Sequence, residues 1–278
     1  MDLGVNVRPL WRQALPSTFF GPWLDLAAAA GVTLFRFDVN WQEVPISTPR
    51  ITDLCAMLAR KDATPVAVLC GSGQNWAWPD PWAYAVAAGD LASLLPPGSM
   101  IEVWNEPNVV PNFAPKRDPL AYARMLYTAY AAIKQANPQA RVIGGVLAFN
   151  DAQYLKDLLA VHPAPMFDLF SIHPYTVGKP PDARIPAHES FIQAIDDFQA
   201  ILDTTPLLLS ECGWECETPA KDAQAASNYR AARDIARFHA VEGMIAYHLG
   251  DSVDSPPNAL LNPKDRTPSL SWRAFTGT

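Results

Sequence analysis

At 278 residues, with 49% hydrophobic and 18% charged side chains, the chain has ample material for a buried core and lacks the charge density of a disordered polymer. A net charge of −7, with no basic run longer than Arg60-Lys61, removes the electrostatic footprint that a nucleic acid or an anionic membrane requires and points to a neutral ligand. No stretch approaches the ~20 apolar residues of a membrane span, and the N-terminus lacks the basic-then-apolar layout of a secretion signal. The expected location is therefore cytoplasmic, or secreted with the signal already removed.

Strand-like apolar runs alternate with Ala- and Leu-rich amphipathic segments from one end to the other. Strands are predicted at 3–7, 33–39, 65–70, 100–104, 141–147, 167–172, 207–210 and 244–248, and helices at 22–30, 51–61, 81–95, 119–135, 152–161, 189–203, 219–240 and 269–275. Asp80, Asp118 and Thr218 each set a capping oxygen directly before a proline, at Pro81, Pro119 and Pro219, which suits the first helical position. Parallel strands need helical crossovers and bury both faces, so eight βα units predict an α/β fold, a closed (β/α)8 TIM barrel filling 1–278 as one domain. A doubly wound open sheet would carry a glycine-rich turn after its first strand, and Arg8-Pro9-Leu10-Trp11 offers none. The 27 prolines are spread through loops, so no linker divides the chain.

Two strands end in carboxylates. Ile101 to Asn108 delivers Asn105 and Glu106 at the end of strand four, and Pro206 to Trp214 delivers Glu211 at the end of strand seven. The two glutamates are 105 residues apart, or three barrel units of about 35 residues each, which puts them on the C-terminal face where such barrels keep their chemistry. A pair of carboxylates in different surroundings is what cleavage of an acetal requires, one giving a proton to the leaving oxygen and one attacking the anomeric carbon. Glu106 is assigned as acid/base and Glu211 as nucleophile.

Trp104-Asn105-Glu106-Pro107-Asn108, with Ser210-Glu211, resembles the clan A glycoside hydrolases. The likeness extends to Arg36 in Phe35-Arg36-Phe37-Asp38 with Trp41, and to Ser171-Ile172-His173-Pro174-Tyr175. Within the clan the wording is most similar to family 39, with family 5 next. The resemblance implies a retaining hydrolase of a β-linked oligo- or polysaccharide with the Asn-Glu-Pro glutamate as acid/base. The chain departs from family 5 at strand eight, where Ala246-Tyr247-His248-Leu249-Gly250 lacks the usual tryptophan, and from the larger family 39 enzymes in having no added β-domain.

Supporting residues follow from the same placement. Asn105 is suited to the sugar 2-hydroxyl, a contact that strengthens in the transition state. Arg36 would hold Glu211 ionised, and the second anion would push Glu106 toward its protonated form. His173 and Tyr175 share a strand face, with Tyr175 able to donate to the nucleophile, although a satisfied core histidine is the plain alternative for His173. Six of the nine tryptophans, Trp11, Trp41, Trp76, Trp78, Trp82 and Trp214, follow strands on one face; Trp41, Trp76 and Trp214 are the candidate sugar platforms, with packing under loops the competing use. Asn112, Phe113, Asn150 and Asp251 are candidate hydroxyl contacts. Cys55 and Cys70 are read as buried free thiols, while Cys212 and Cys216 are spaced for a small disulfide loop, free thiols being the default. No metalloprotease, EF-hand or nucleophile-elbow string is present, so no metal and no cofactor are expected. A monomer acting on a carbohydrate is the expectation. The rivals are a carbohydrate-binding barrel without catalysis and a transglycosylase using the same two glutamates.

Overall fold

The structure is a computed structural model that describes residues 1–7, 17–71, 77–161, 166–176, 178–184, 190–250, 257–262 and 264–278. Eight strands, β1 (Asp2–Asn6), β2 (Leu34–Asn40), β3 (Thr64–Cys70), β4 (Met100–Val103), β5 (Arg141–Ala148), β6 (Leu169–His173), β7 (Leu207–Cys212) and β8 (Gly243–Ala246), pair in parallel in sequence order. Pairing of β8 with β1 closes the barrel. The helices are α1 (Ser17–Ala29), α2 (Val44–Ala59), α3 (Pro81–Leu94), α4 (Pro119–Ala136), α5 (Ala152–Val161), α6 (Phe191–Leu202), α7 (Pro219–Phe238) and α8 (Leu270–Thr276). Asp80, Asp118 and Thr218 cap α3, α4 and α7 by accepting from backbone N–H groups of the first turn, each ahead of its proline. Two helices start earlier than their prolines suggested. In α2, Pro45 lies in the first turn, where its missing N–H costs nothing, and the buried face of Val44, Ile51, Leu54 and Leu58 outweighs the interior Pro49. α1 likewise runs through Pro22. Strand eight is shorter than expected, which leaves Tyr247 and His248 in the loop beyond it.

The barrel interior is built in layers, because side chains two apart on a strand share a face. Leu34, Val66, Met100, Ile143, Leu169, Leu208 and Ile245 form a separate apolar cluster near the strand starts. The β1 position is Gly4, where a Cβ would lie 2.8 Å from both Leu34 and Ile245, so neighbours fill its place. Two residues further along stand Asn6, Arg36, Glu102, Ser171 and Ser210, all buried. An apolar floor therefore closes the strand-start end, and a polar layer sits directly above it. Outside the barrel, tyrosine hydroxyls bridge strand ends: Tyr84 donates to Leu69 O and accepts from Trp104 N, while Tyr122 donates to Val103 O and accepts from Gly145 N.

Two irregularities aim the strand ends. The β5–β6 register shifts between Gly145 and Leu147, and the β7–β8 register shifts between Leu209 and Cys212. Such bulges re-aim side chains beside functional sites. Gly145 has φ +82°, and a Cβ there would lie 2.2 Å from Phe170 Cζ. Both the left-handed backbone and the overlap with a ring oppose any side chain. Gly145→Ala is expected to lower the unfolding free energy by about 3 kcal/mol, the sum of overpacking and a left-handed alanine. Denaturant unfolding of wild type and variant measures it, and a loss under about 1 kcal/mol would show that the ring moves aside freely.

Candidate active site

The site begins with Arg36, 1% exposed and rising from the polar layer of β2. Each of its three nitrogens donates. Nε donates to Glu102 Oε2 at 2.8 Å, Nη1 to Asn6 Oδ1 at 2.7 Å and to Glu211 Oε1 at 2.5 Å, and Nη2 to Asn105 Oδ1 at 2.9 Å. The planar fork thus ties strands β1, β2, β4 and β7 together. Because the Asn105 carbonyl is taken by Arg36, its amide N–H groups are left to donate outward.

Beyond β4 the chain turns through two non-glycine residues of positive φ, Trp104 at +72° and Glu106 at +50°. Each such residue costs roughly 1–3 kcal/mol unless its surroundings hold it. Here they do. Glu106 N donates to Val146 O at 2.9 Å, and the Asn108 side chain continues the β4–β5 ladder by donating to Ala148 O and accepting from Ala148 N, both at 3.0 Å. The turn carries Asn112 back so that its Nδ2 donates to Glu106 Oε2 at 2.8 Å. Trp104 is fully buried against Tyr84 and Phe113.

The opposite wall comes from β6 and β7. His173 Nδ1 lies 2.9 Å from Glu106 Oε1 and its Nε2 3.1 Å from Ser210 Oγ. Tyr175 OH donates to Glu211 Oε2 at 2.9 Å. In a regular strand Ser210 and Glu211 would face opposite sides, but the β7 bulge turns both into the barrel. One oxygen each of Glu106 and Glu211 and one nitrogen of His173 lie within 4.8 Å of one another.

Charge explains how these groups coexist. Burial alone would raise the Glu211 carboxyl, but the neighbouring His173 and Arg36 cations and the Tyr175 hydroxyl hold it below its ordinary range. For His173, burial opposes the charged form, and the Glu211 anion together with the Glu106 hydrogen bond more than offsets it, so the imidazole is raised. Burial and the same anion push the Tyr175 phenol well up, keeping it a donor.

The other predicted residues divide between site and packing. Trp214 is 5% exposed, set edge-on to Tyr229, with Nε1 donating to Thr176 Oγ1 at 3.0 Å. Trp41 forms the short turn after β2 and tilts over Tyr84. Trp78 packs on Phe113, which is fully buried and so is core and not a hydroxyl contact. Trp82 is 74% exposed at the start of α3. Asn150 donates to Asp197. Trp11, Trp76 and Asp251 lie outside the described residues. Cys212 and Cys216 are free thiols, and burial pushes the Cys216 thiol up to about 12 and Cys212 higher. Glu102, Ser171, Ser210 and Asn6 were not foreseen as site residues; their signal is a polar residue interrupting an apolar strand at the same level on several strands.

Among the described residues Glu106, His173 and Glu211 are the group with the spacing to hold a cation. Their donor atoms are already committed to Asn112, Ser210, Arg36 and Tyr175, and the Arg36 charge lies against Glu211, so the set is matched to sharing protons. No described helix is long and apolar enough to cross a membrane.

No family model and no curated protein matches the chain. Solved structures do match. The barrel is similar to a family 39 glycoside hydrolase from the gut symbiont Bacteroides cellulosilyticus WH2, with TM-score 0.78 and 20% identity over 99% of this chain and 62% of that one. A monomeric β-xylosidase from Caulobacter crescentus CB15 gives TM-score 0.71 and 18% identity over 99% of this chain and 67% of that one. A GH5-4 broad-specificity endoglucanase from Clostridium acetobutylicum gives TM-score 0.74 and 12% identity over 99% and 96%. Both families that the motifs resemble are thus represented, and at these identities the likeness is one of fold. The chain spans less than two thirds of the family 39 hydrolase.

A carboxylate held below its ordinary value contributes stability that is present above its unfolded pKa and is lost as pH falls through the folded one. For Glu211, whose ordinary value is 4.5, that loss falls on the acid side. Glu211→Gln should therefore be less stable than wild type at neutral pH, and the gap should close on acidification below that value. Urea unfolding across the acid range checks it; a gap independent of pH would remove the charge-based account of the Glu211 environment.

Proposed function

We propose that the chain is a retaining glycoside hydrolase that cleaves a β-linked oligo- or polysaccharide by double displacement. The observation that carries this reading is the approach of one carboxylate oxygen of Glu106 and one of Glu211 to within 4.8 Å of each other. Retaining enzymes hold their carboxyl groups ~5–5.5 Å apart, whereas inverting ones leave ~6.5–9.5 Å for a water. Glu211, pinned by Arg36 and Tyr175, is the anion that attacks the anomeric carbon. Glu106, paired with His173 and Asn112, gives its proton to the leaving oxygen and then takes one from water. Asn105, its carbonyl fixed by Arg36, offers N–H to the 2-hydroxyl of the bound sugar. The structures similar in fold carry the same reading, being named a xylosidase and an endoglucanase.

A cavity of about 500 Å³ adjoins this point, with the Tyr175 ring as the shared wall. Phe149 and Trp214 supply aromatic surface, and Gln224, Asn228 and Asn258 supply amides. Apolar faces with a few amides suit a sugar ring, which supports a substrate of more than one residue.

Glu106→Ala is expected to reduce hydrolysis of an unactivated β-glycoside by ~10²–10⁴, with a much smaller loss on aryl glycosides whose leaving group needs no proton. Glu211→Ala should lose both activities and, given azide, yield the α-glycosyl azide. Retention of full activity by either variant would overturn the enzyme reading, and an inverted product from wild type would overturn the retaining one. Gln224→Ala should raise KM for an oligosaccharide several-fold while leaving an aryl monoglycoside unaffected. Equal effects on both substrates would remove the cavity from substrate binding.

A further inference from the structure

One buried carboxylate takes no part in the chemistry above. Glu102 is 0% exposed, in the polar layer of the barrel interior beside Arg36. Its Oε2 pairs with Arg36, the residue that grips Glu211, and its Oε1 accepts from Ser171 Oγ at 3.3 Å. The chain of hydroxyls continues. Ser210 Oγ lies 3.1 Å from Ser171 Oγ, and His173 Nε2 lies 3.1 Å from Ser210 Oγ.

Donor counting gives this chain a direction. A serine hydroxyl has a single proton to donate. Ser171 spends its proton on the Glu102 carboxylate, so it accepts from Ser210. Ser210 then has no proton left and accepts from His173, which must carry hydrogen on Nε2. Nδ1, at 2.9 Å from Glu106 Oε1, faces the acid/base group with one proton between them.

We propose that Glu102, Ser171 and Ser210 are positioning residues that fix the His173 tautomer, making His173 the partner that shares the acid/base proton of Glu106. The inference rests on the assignment of Glu106 as acid/base. The charged and titratable groups facing His173 are Glu106 on the β4 turn, Glu211 on β7 at 3.9 Å from Nδ1, Arg36 on β2, Glu102 through the serines, and Tyr175 beyond β6. The Glu211 anion draws the shared proton toward His173. As Glu211 bonds to the anomeric carbon that anion is neutralised, and the proton passes by way of Glu106 to the departing oxygen while the carbon–oxygen bond breaks. Hydrolysis of the glycosyl ester reverses the path: water loses a proton to Glu106 and His173, its oxygen bonds to the anomeric carbon, and Glu211 leaves as an anion.

The test is the nitrogen-15 spectrum of the His173 ring, assigned with His173→Gln, together with the pH profile. Wild type should show hydrogen on Nε2 throughout. Glu102→Gln keeps its carbonyl toward Arg36 and turns its amide toward Ser171, which reverses every donor in the chain, so hydrogen should leave Nε2 and reside on Nδ1. Ser210→Ala removes the acceptor for Nε2–H; kcat should fall about tenfold or more with KM unchanged, and the alkaline limb should move to lower pH. Ser210→Thr should restore both. A wild-type tautomer in Glu102→Gln, or a wild-type alkaline limb in Ser210→Ala, overturns the proposal. The spectra need no substrate, so the relay can stand or fall apart from the hydrolase reading.

Discussion

The structure depends on a single buried cation. Arg36 is held in the barrel interior by two carboxylates, and in turn it holds Glu211, Asn105 and Asn6. Placing a guanidinium in a low-dielectric interior costs several kcal/mol, repaid only when every donor is matched. That requirement explains why Glu102 exists at a position where the strand is otherwise apolar. It also explains the geometry of the reading proposed above: Glu211 stays anionic and still, and the Asn105 amide can present only one of its ends. Stability and chemistry rest here on the same hydrogen bonds.

The barrel makes room for this charge by separating tasks between levels. The apolar cluster from Leu34 to Ile245 closes the strand-start end and carries no chemistry. The next level holds the polar side chains, and the strand ends hold the carboxylates. Two local departures from regular strand geometry finish the arrangement. The β7 bulge brings adjacent residues Ser210 and Glu211 to one side, and the left-handed turn at Trp104 and Glu106 points the second carboxylate across the mouth. Both are anchored on a neighbouring strand, the turn by Glu106 and Asn108 on β5 and the bulge by the pairing of Cys212 with Ala246 of β8.

Much of this was legible in the sequence. Alternation of apolar runs with capped helices implied the closed barrel, and the spacing of Glu106 and Glu211 put them on one face. What was not legible depends on backbone detail. Glu102 between Ile101 and Val103 reads like any exposed residue of an alternating strand, and only the closed barrel turns that face inward. Seeing that Ser210 and Glu211 face the same way requires the bulge. Aromatic residues in loops serve packing and ligands alike, so Trp78, which packs on Phe113, could not be told from a sugar platform by composition. Asn112 reaches Glu106 across a turn in which two non-glycine residues, Trp104 and Glu106, adopt positive φ.

The apolar floor has one more consequence. Beneath Glu102, Ser171, Ser210 and His173, all 0% exposed, the barrel is sealed by hydrocarbon that neither water nor hydronium crosses readily. Among the described residues, that floor leaves the strand-end side as the route for protons to and from bulk solvent, the same side from which a ligand would approach. A molecule seated there therefore also stands in the path of the protons. The ionisation state with which the site first meets its ligand is then set by the medium beforehand, and any later change has to come with a molecule that enters or leaves by the same side.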